Sequence, residues 1–180
     1  MGTLFGTDGI RGAANEYPMT AEMAVRVGRA VVTVFRNHSG KPKIIIGRDT
    51  RLSGQMLESA VVAGICSAGG DAYLTGVLPT PGVAFTASAA KADAGVVISA
   101  SHNPFYDNGI KLFKGNGYKL SDEKEAEVEK LILDERMVGQ SQTVRETGTV
   151  IIQNDASENY IAFLKSALPV NLSLNGLKIV

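Results

Sequence analysis

Hydrophobic positions along the chain switch repeatedly between two spacings. Beyond Thr20, Met23, Val27, Val31 and Val34 recur at helical intervals and form one apolar stripe, with Thr20 as the cap. Gly40 and Pro42 end that region, and Lys43-Ile44-Ile45-Ile46-Gly47 follows as a continuous apolar run of strand length. Ser53 opens a second helical stripe carrying Met56, Leu57, Ala60, Val61 and Ile65, stopped by Gly69-Gly70. Asp71 to Val77 reads as a second strand. Pro79-Thr80-Pro81 leads into a short helix reaching Ala90, and Ala94 to Ser99 is a third strand. This alternation predicts an α/β fold: three layers, α/β/α, around a mixed, mostly parallel sheet of about four strands.

After Pro104 the pattern changes. Ile110 to Lys114, the turn Gly115-Asn116-Gly117 and Tyr118-Lys119-Leu120 predict a last strand running antiparallel at the sheet edge. Ser121 caps an acidic-then-apolar helix to about Glu135, whose charged face is expected to be solvated. Gly139 to Gly148 reads as a polar connector. A helix beginning at Asn154 or Asp155 carries Tyr160, Ile161, Phe163 and Leu164, and Leu177 to Val180 looks like the start of another buried strand. The expected division is therefore a first domain over 1–153 and the truncated beginning of a second over 154–180, partly disordered or packed on a neighbouring copy when alone.

Composition narrows the function. Hydrophobic residues make up 44% and charged residues 20%, enough for a packed core. Eighteen basic residues balance eighteen acidic ones, so no nucleic-acid partner is expected. No apolar run reaches the roughly 18 residues of a membrane span, and the N-terminus lacks the parts of a signal peptide, so no membrane partner is expected either. The lone Cys66 reads as a small buried hydrophobe and His38 as a helix C-terminal cap or exposed residue. A cytoplasmic location follows.

The chemistry concentrates where strands end. Gly95-Val96-Val97-Ile98 passes abruptly into Ser99-Ala100-Ser101-His102-Asn103-Pro104, a polar loop at the carboxyl edge where open α/β sheets bind ligands. Ser101 could be a hydrolase nucleophile, a phosphoryl carrier or a plain loop residue. The glycines that flank a hydrolase nucleophile elbow are absent. The opening run Phe5-Gly6-Thr7-Asp8-Gly9-Ile10-Arg11-Gly12 reads as a Gly-rich loop able to surround an anion, with Arg11 as the phosphate clamp. In Gly47-Arg48-Asp49-Thr50-Arg51-Leu52-Ser53-Gly54, an Asp–Arg pair that shapes the turn and a direct phosphate contact stand as equal readings. Asn108-Gly109 signals a turn, after which Lys111 would lie on a strand near the serine loop, able to give and take a proton. His102 reads as a positioning residue before an acid–base one. No paired histidines, Cys-x-x-Cys or carboxylate cluster makes a complete metal site.

Four segments together resemble one family, the α-D-phosphohexomutases. They are Phe5 to Gly12, continued by Ala14-Asn15 and Pro18-Met19-Thr20; Gly47 to Arg51; Pro79-Thr80-Pro81; and Ser99 to Pro104 with Asp107-Asn108-Gly109-Ile110-Lys111. The opening segment is most similar to the branch acting on glucosamine phosphates. The resemblance implies interconversion of glucosamine 6-phosphate and glucosamine 1-phosphate, through a phosphoserine enzyme and a bisphosphate intermediate, feeding peptidoglycan precursor synthesis. It implies that Ser101 carries the phosphate, that Arg11 and Lys111 occupy the phosphoserine site with Lys111 as general base, and that His102 stands close by. It further implies Mg²⁺, bound through the phosphate on Ser101 and by aspartates of a second-domain loop beyond Val180, a hexosamine phosphate substrate, and a homodimer formed through the first domain. The chain alone is then expected to fold without catalysing. Rival readings are a mannose or glucose phosphate mutase and a non-catalytic phosphosugar-binding domain.

Overall fold

The computed structural model describes residues 4–36, 40–134, 143–144, 146–169, 171–173 and 175–178. Among them stand six strands and five helices: β1 (Ile10–Ala13), α1 (Ala21–Phe35), β2 (Lys43–Arg48), α2 (Gly54–Ser67), β3 (Asp71–Val77), α3 (Thr80–Ala89), β4 (Ala94–Ile98), β5 (Asp107–Lys114), α4 (Asp122–Leu133), β6 (Val150–Ile152) and α5 (Ala156–Ser166). The strands make one sheet in the order β1-β5-β4-β2-β3-β6. Strands β4, β2, β3 and β6 run parallel, β5 is antiparallel to β4, and β1 is antiparallel to β5.

The three-layer α/β expectation holds, and the sheet is larger than the apolar runs suggested. The last long strand, β5, is antiparallel as expected, but it is covered by β1 and is not the edge. The edge strands β1 and β6 are short. Strand β1 emerges from what the sequence suggests is loop, because Arg11 and Gly12 hide its pairing potential. The Asn108-Gly109 turn is likewise overruled: both residues lie buried inside β5, where pairing to β1 fixes extended backbone.

Alternate side chains of the strands feed two cores, as a pleated sheet requires. Ile44, Ile46, Val96, Ile98, Ile110 and Leu112 face the layer of α1, α2 and α4. Ile45 and Val97 face α3 with Val83 and Ala87. Thr20 caps α1, its hydroxyl oxygen accepting from the Met23 N–H at 3.3 Å, as read from the sequence. Ser53 precedes α2 but makes no cap; its Oγ accepts instead from the buried Asn108 Nδ2 at 2.9 Å, tying β5 to the start of α2.

The solvated face expected for α4 is only partly so. Glu125 is buried and pairs with Lys119 at 3.3 Å, and Glu129 accepts the N–H groups of Leu4 and Phe5. Cys66 is half-buried, with Sγ 3.7 Å from the Thr149 carbonyl, and burial raises its thiol pKa. Leu177 and Lys178 form no strand; His38, Ile179, Val180 and half of the 139–148 connector lie outside the described residues. Helix α5 lays Tyr160 and Phe163 against Phe85 of α3, with ring centroids 5.7 and 4.4 Å apart. No helix among the described residues is long and apolar enough to cross a membrane.

Candidate functional site

The strand order reverses around β2. The chain leaves β2 toward β3 on one side and returns through α3 to β4 on the other. The loops after β2 and β4 therefore diverge and leave a crevice at the carboxyl ends of the strands, the position at which such sheets take ligands. Its lining includes Asp49, Arg51, Leu52, Ser101, Asn103 and Phe105.

Ser101 sits at the mouth of this crevice, exposed, three residues past the end of β4. Its backbone is left-handed, with φ +57°, a region a serine seldom occupies. The turn is held by the Ser99 hydroxyl, whose Oγ accepts the Ser101 N–H at 3.0 Å, and by the Asn103 N–H donating to Ala100 O. His102 is exposed, with Nδ1 3.4 Å from Ser101 Oγ. That distance is at the limit for a hydrogen bond, so the imidazole can orient the hydroxyl without making the tight pair of a nucleophile and its base.

Sheet pairing gathers the basic residues. Arg11 of β1 stands opposite Gly109 of β5, and Lys111 lies two residues further on the same face. Gly109 is required here: a Cβ on it would stand 3.2 Å from Arg11 Cγ and 2.7 Å from the Ser99 carbonyl. Its bare Cα leaves the path along which the Arg11 side chain runs.

Arg11 Nη2 and Lys111 Nζ then converge on one oxygen, Asp8 Oδ2, at 2.8 and 2.7 Å. Arg11 Nη1 also donates to Asn103 Oδ1 at 3.3 Å, joining the basic pair to the serine loop. Burial alone would raise the Asp8 carboxyl pKa. The hydrogen bond and charge of Lys111, then those of Arg11, outweigh burial and hold it below the usual aspartate value. The structure thus brings Arg11, Lys111 and the serine loop into one connected group. The opening segment contributes less through backbone N–H groups than through the Asp8 carboxylate that both cations share.

The second motif resolves toward structure. Arg48 pairs with Glu58 at 3.0 Å, and Arg51 pairs with Asp49 at 3.0 Å. Arg51 also donates to backbone carbonyls of the serine loop. Motif spacing placed Asp8 and Arg51 in the right segments. Their near partners, Arg11 and Asp49, lie within the same motifs, whereas Lys111 and the serine-loop carbonyls are brought in by the sheet and no local signal announces them.

The residues present do not by themselves fit a divalent cation. Asp8 is held by two cations, Asp49 by Arg51, and Asp107 Oδ2 accepts from Asn103 Nδ2 at 2.9 Å. Among the described residues no three His, Cys, Asp or Glu side chains cluster as a metal would need.

A hydroxyl at a topological switch point, on a loop joined through Asn103 to an arginine and by way of Asp8 to a lysine, is an arrangement suited to an anionic ligand on an α/β domain. Residues 2–138 match the family model for phosphoglucomutase/phosphomannomutase, alpha/beta/alpha domain I, and the chain belongs to that family. It is 57% identical over 180 residues to the phosphoglucosamine mutase of Syntrophus aciditrophicus, covering 100% of this chain and 40% of that protein. It is 56% identical over 180 residues to the phosphoglucosamine mutase of Citrifermentans bemidjiense, with the same coverage. The crystal structure of a phosphoglucomutase/phosphomannomutase family protein from Burkholderia thailandensis superposes with a TM-score of 0.75 at 26% identity, covering 94% of this chain and 36% of that one. The chain spans 40% of the length of the curated relatives it matches.

Proposed function

We propose that the chain is the phosphoserine-bearing domain of a phosphoglucosamine mutase, an isomerase interconverting glucosamine 6-phosphate and glucosamine 1-phosphate in the cytoplasm. The observation that carries this reading is the exposed Ser101 hydroxyl on a held, left-handed turn, connected through Asn103 to the convergent pair Arg11 and Lys111. In this reading phosphate resides on Ser101 Oγ. A sugar hydroxyl attacks the phosphorus and gives its proton to water, the P–Oγ bond breaks as the new P–O bond forms, and the product is a hexosamine bisphosphate. Ser101 Oγ takes a proton as it leaves, and Lys111 is the group proposed to supply it. After the bisphosphate turns around, Oγ attacks the other phosphate and returns its proton to Lys111, while the P–O bond to the sugar breaks and the freed sugar oxygen takes a proton from water. Phosphoryl transfer needs positioning and charge more than covalent help, and two cations beside a phosphate supply both. Arg11 offers a planar guanidinium for bidentate contact with phosphate oxygens, and His102 orients Oγ.

The Mg²⁺ expected with this chemistry would need donors other than Asp8, Asp49 and Asp107, which are already paired. We further propose that 1–153 forms the phosphoserine domain, that 154–180 opens a second one, and that the first domain supports a homodimer. Intact-mass analysis of the full-length protein after exposure to a hexose bisphosphate tests the reading. One added phosphate is expected on the wild type and none on Ser101→Ala, whose turnover of glucosamine 6-phosphate falls by several orders of magnitude. An unmodified Ser101 in a protein that still turns over would overturn it.

A further inference from the structure

We propose that Arg51 is the positioning residue of the serine loop, the group that shapes the backbone from Ser101 to Asp107 so that Ser101 meets its phosphate. The proposal rests on the reading of Ser101 as phosphate carrier. A guanidinium has five N–H donors, and all five of Arg51 are engaged. Nε donates to Asp49 Oδ2 at 3.0 Å. Nη1 donates to the Pro104 carbonyl at 2.5 Å and the Asp107 carbonyl at 3.1 Å. Nη2 donates to the Ser101 carbonyl at 3.0 Å and the Asn103 carbonyl at 2.8 Å.

The loop needs such a hold. Ser101, His102, Pro104, Phe105 and Tyr106 are exposed, so little packing fixes them, and the left-handed turn at Ser101 persists only if its surroundings determine it. One side chain reaching four carbonyls of one loop does that. The clamp is itself fixed. Asp49 Oδ1 accepts the Arg51 N–H at 3.0 Å while Oδ2 takes Nε, and the Asp49 N–H donates to the Ile98 carbonyl at the end of β4. Asp49 and Arg51 thus tie the serine loop to the strand from which it springs. With every donor committed, Arg51 could contact a phosphate only by releasing a carbonyl, which sets its role apart from that of Arg11. A lysine, with three donors on one nitrogen, cannot span the four carbonyls.

The test compares wild type, Arg51→Met and Arg51→Lys in the full-length protein. Hydrogen exchange across 101–107 is expected to rise at least about tenfold in Arg51→Met, with β2 and β4 unchanged. The rate of phosphate transfer from a hexose bisphosphate onto Ser101 and kcat for glucosamine 6-phosphate are both expected to fall about 100-fold, the scale of an ångström's misplacement. KM is expected to stay within about threefold, since the lost interaction does not touch the sugar. Arg51→Lys should recover only part of each effect. Unchanged loop exchange, a raised KM with unchanged kcat, or full recovery by lysine would each overturn the proposal. If Arg51→Met does not fold, loop exchange and kcat in Arg51→Lys decide by the same criteria. Should wild-type Ser101 accept no phosphate, the carrier reading fails by itself, while loop exchange still reports whether Arg51 holds the backbone.

Discussion

At the scale of single residues, the charged side chains of this domain behave in opposite ways according to their partners. Asp8 has two cations on one oxygen and remains ionised below the usual aspartate range. Glu125 has the weaker support of Lys119 at 3.3 Å, and burial raises its carboxyl pKa despite that pair. For a carboxyl raised in the folded state, the sign runs against the usual acid unfolding. Below the ordinary glutamate value both folded and unfolded forms are protonated and nothing is lost. As pH climbs through the folded value, the buried group must ionise at a cost and stability falls. Glu125→Gln is therefore expected to be neutral or destabilising near about pH 4, and to gain on the wild type as pH approaches about 7. Urea unfolding at the two pH values checks this; a wild type that gains on the variant with rising pH would show that the Lys119 pair outweighs burial.

At the scale of elements, what could be read along the chain was what depends on neighbours in sequence. The stripe of α1, its Thr20 cap and the span of β3 are set by local spacing, and the structure places them as read. The partners of Ser53 and Asn108, and the loop carbonyls that Arg51 holds, lie about fifty residues away and are set by sheet order, so spacing could suggest only the segments. Strand β1 and the extended Asn108-Gly109 pair were illegible for the same reason, since pairing on the sheet overrides turn propensity.

The contact between α1 and α2 carries a further consequence of this kind. Gly28 of α1 faces the Val61 carbonyl of α2, and Gly64 of α2 faces the Val25 carbonyl of α1, each so closely that an added Cβ would collide with backbone. On an open helix surface, Gly to Ala gains about 1 kcal/mol from helix propensity. Here the sign reverses, because backbone cannot rotate away as a side chain can. Gly28→Ala and Gly64→Ala are each expected to cost about 1–3 kcal/mol, as overpacking does. Because both sit at one helix crossing, the double variant should lose less than the sum of the two. Equilibrium denaturation of the three variants measures both sign and coupling, and a stabilised single variant would mean that the helices part more easily than their packing suggests.

At the scale of the whole molecule, the serine, its two cations and the clamp all belong to this domain, while its carboxylates are already spent. Asp8 pairs with both Arg11 and Lys111, Asp49 orients Arg51, and Asp107 accepts from Asn103. A phosphate on Ser101 would add about −1.5 to −2 charges beside that group. With Asp8 between them, Arg11 and Lys111 leave one net positive charge to set against that phosphate. Passing it to a second phosphorylated molecule brings more negative charge to the same place, and among the described residues no three His, Cys, Asp or Glu side chains cluster to hold a metal that would receive it. The separation of roles predicts that the purified 180-residue chain folds cooperatively, having its own two cores, yet gives no multiple turnovers of glucosamine 6-phosphate above a Ser101→Ala control. A coupled assay for glucosamine 1-phosphate, run beside circular dichroism on the same sample, distinguishes a folded inactive domain from an unfolded one. Turnover above the control would mean that the domain completes its charge balance alone, and that Asp8 gives up one of its two cations to the incoming phosphate during each cycle.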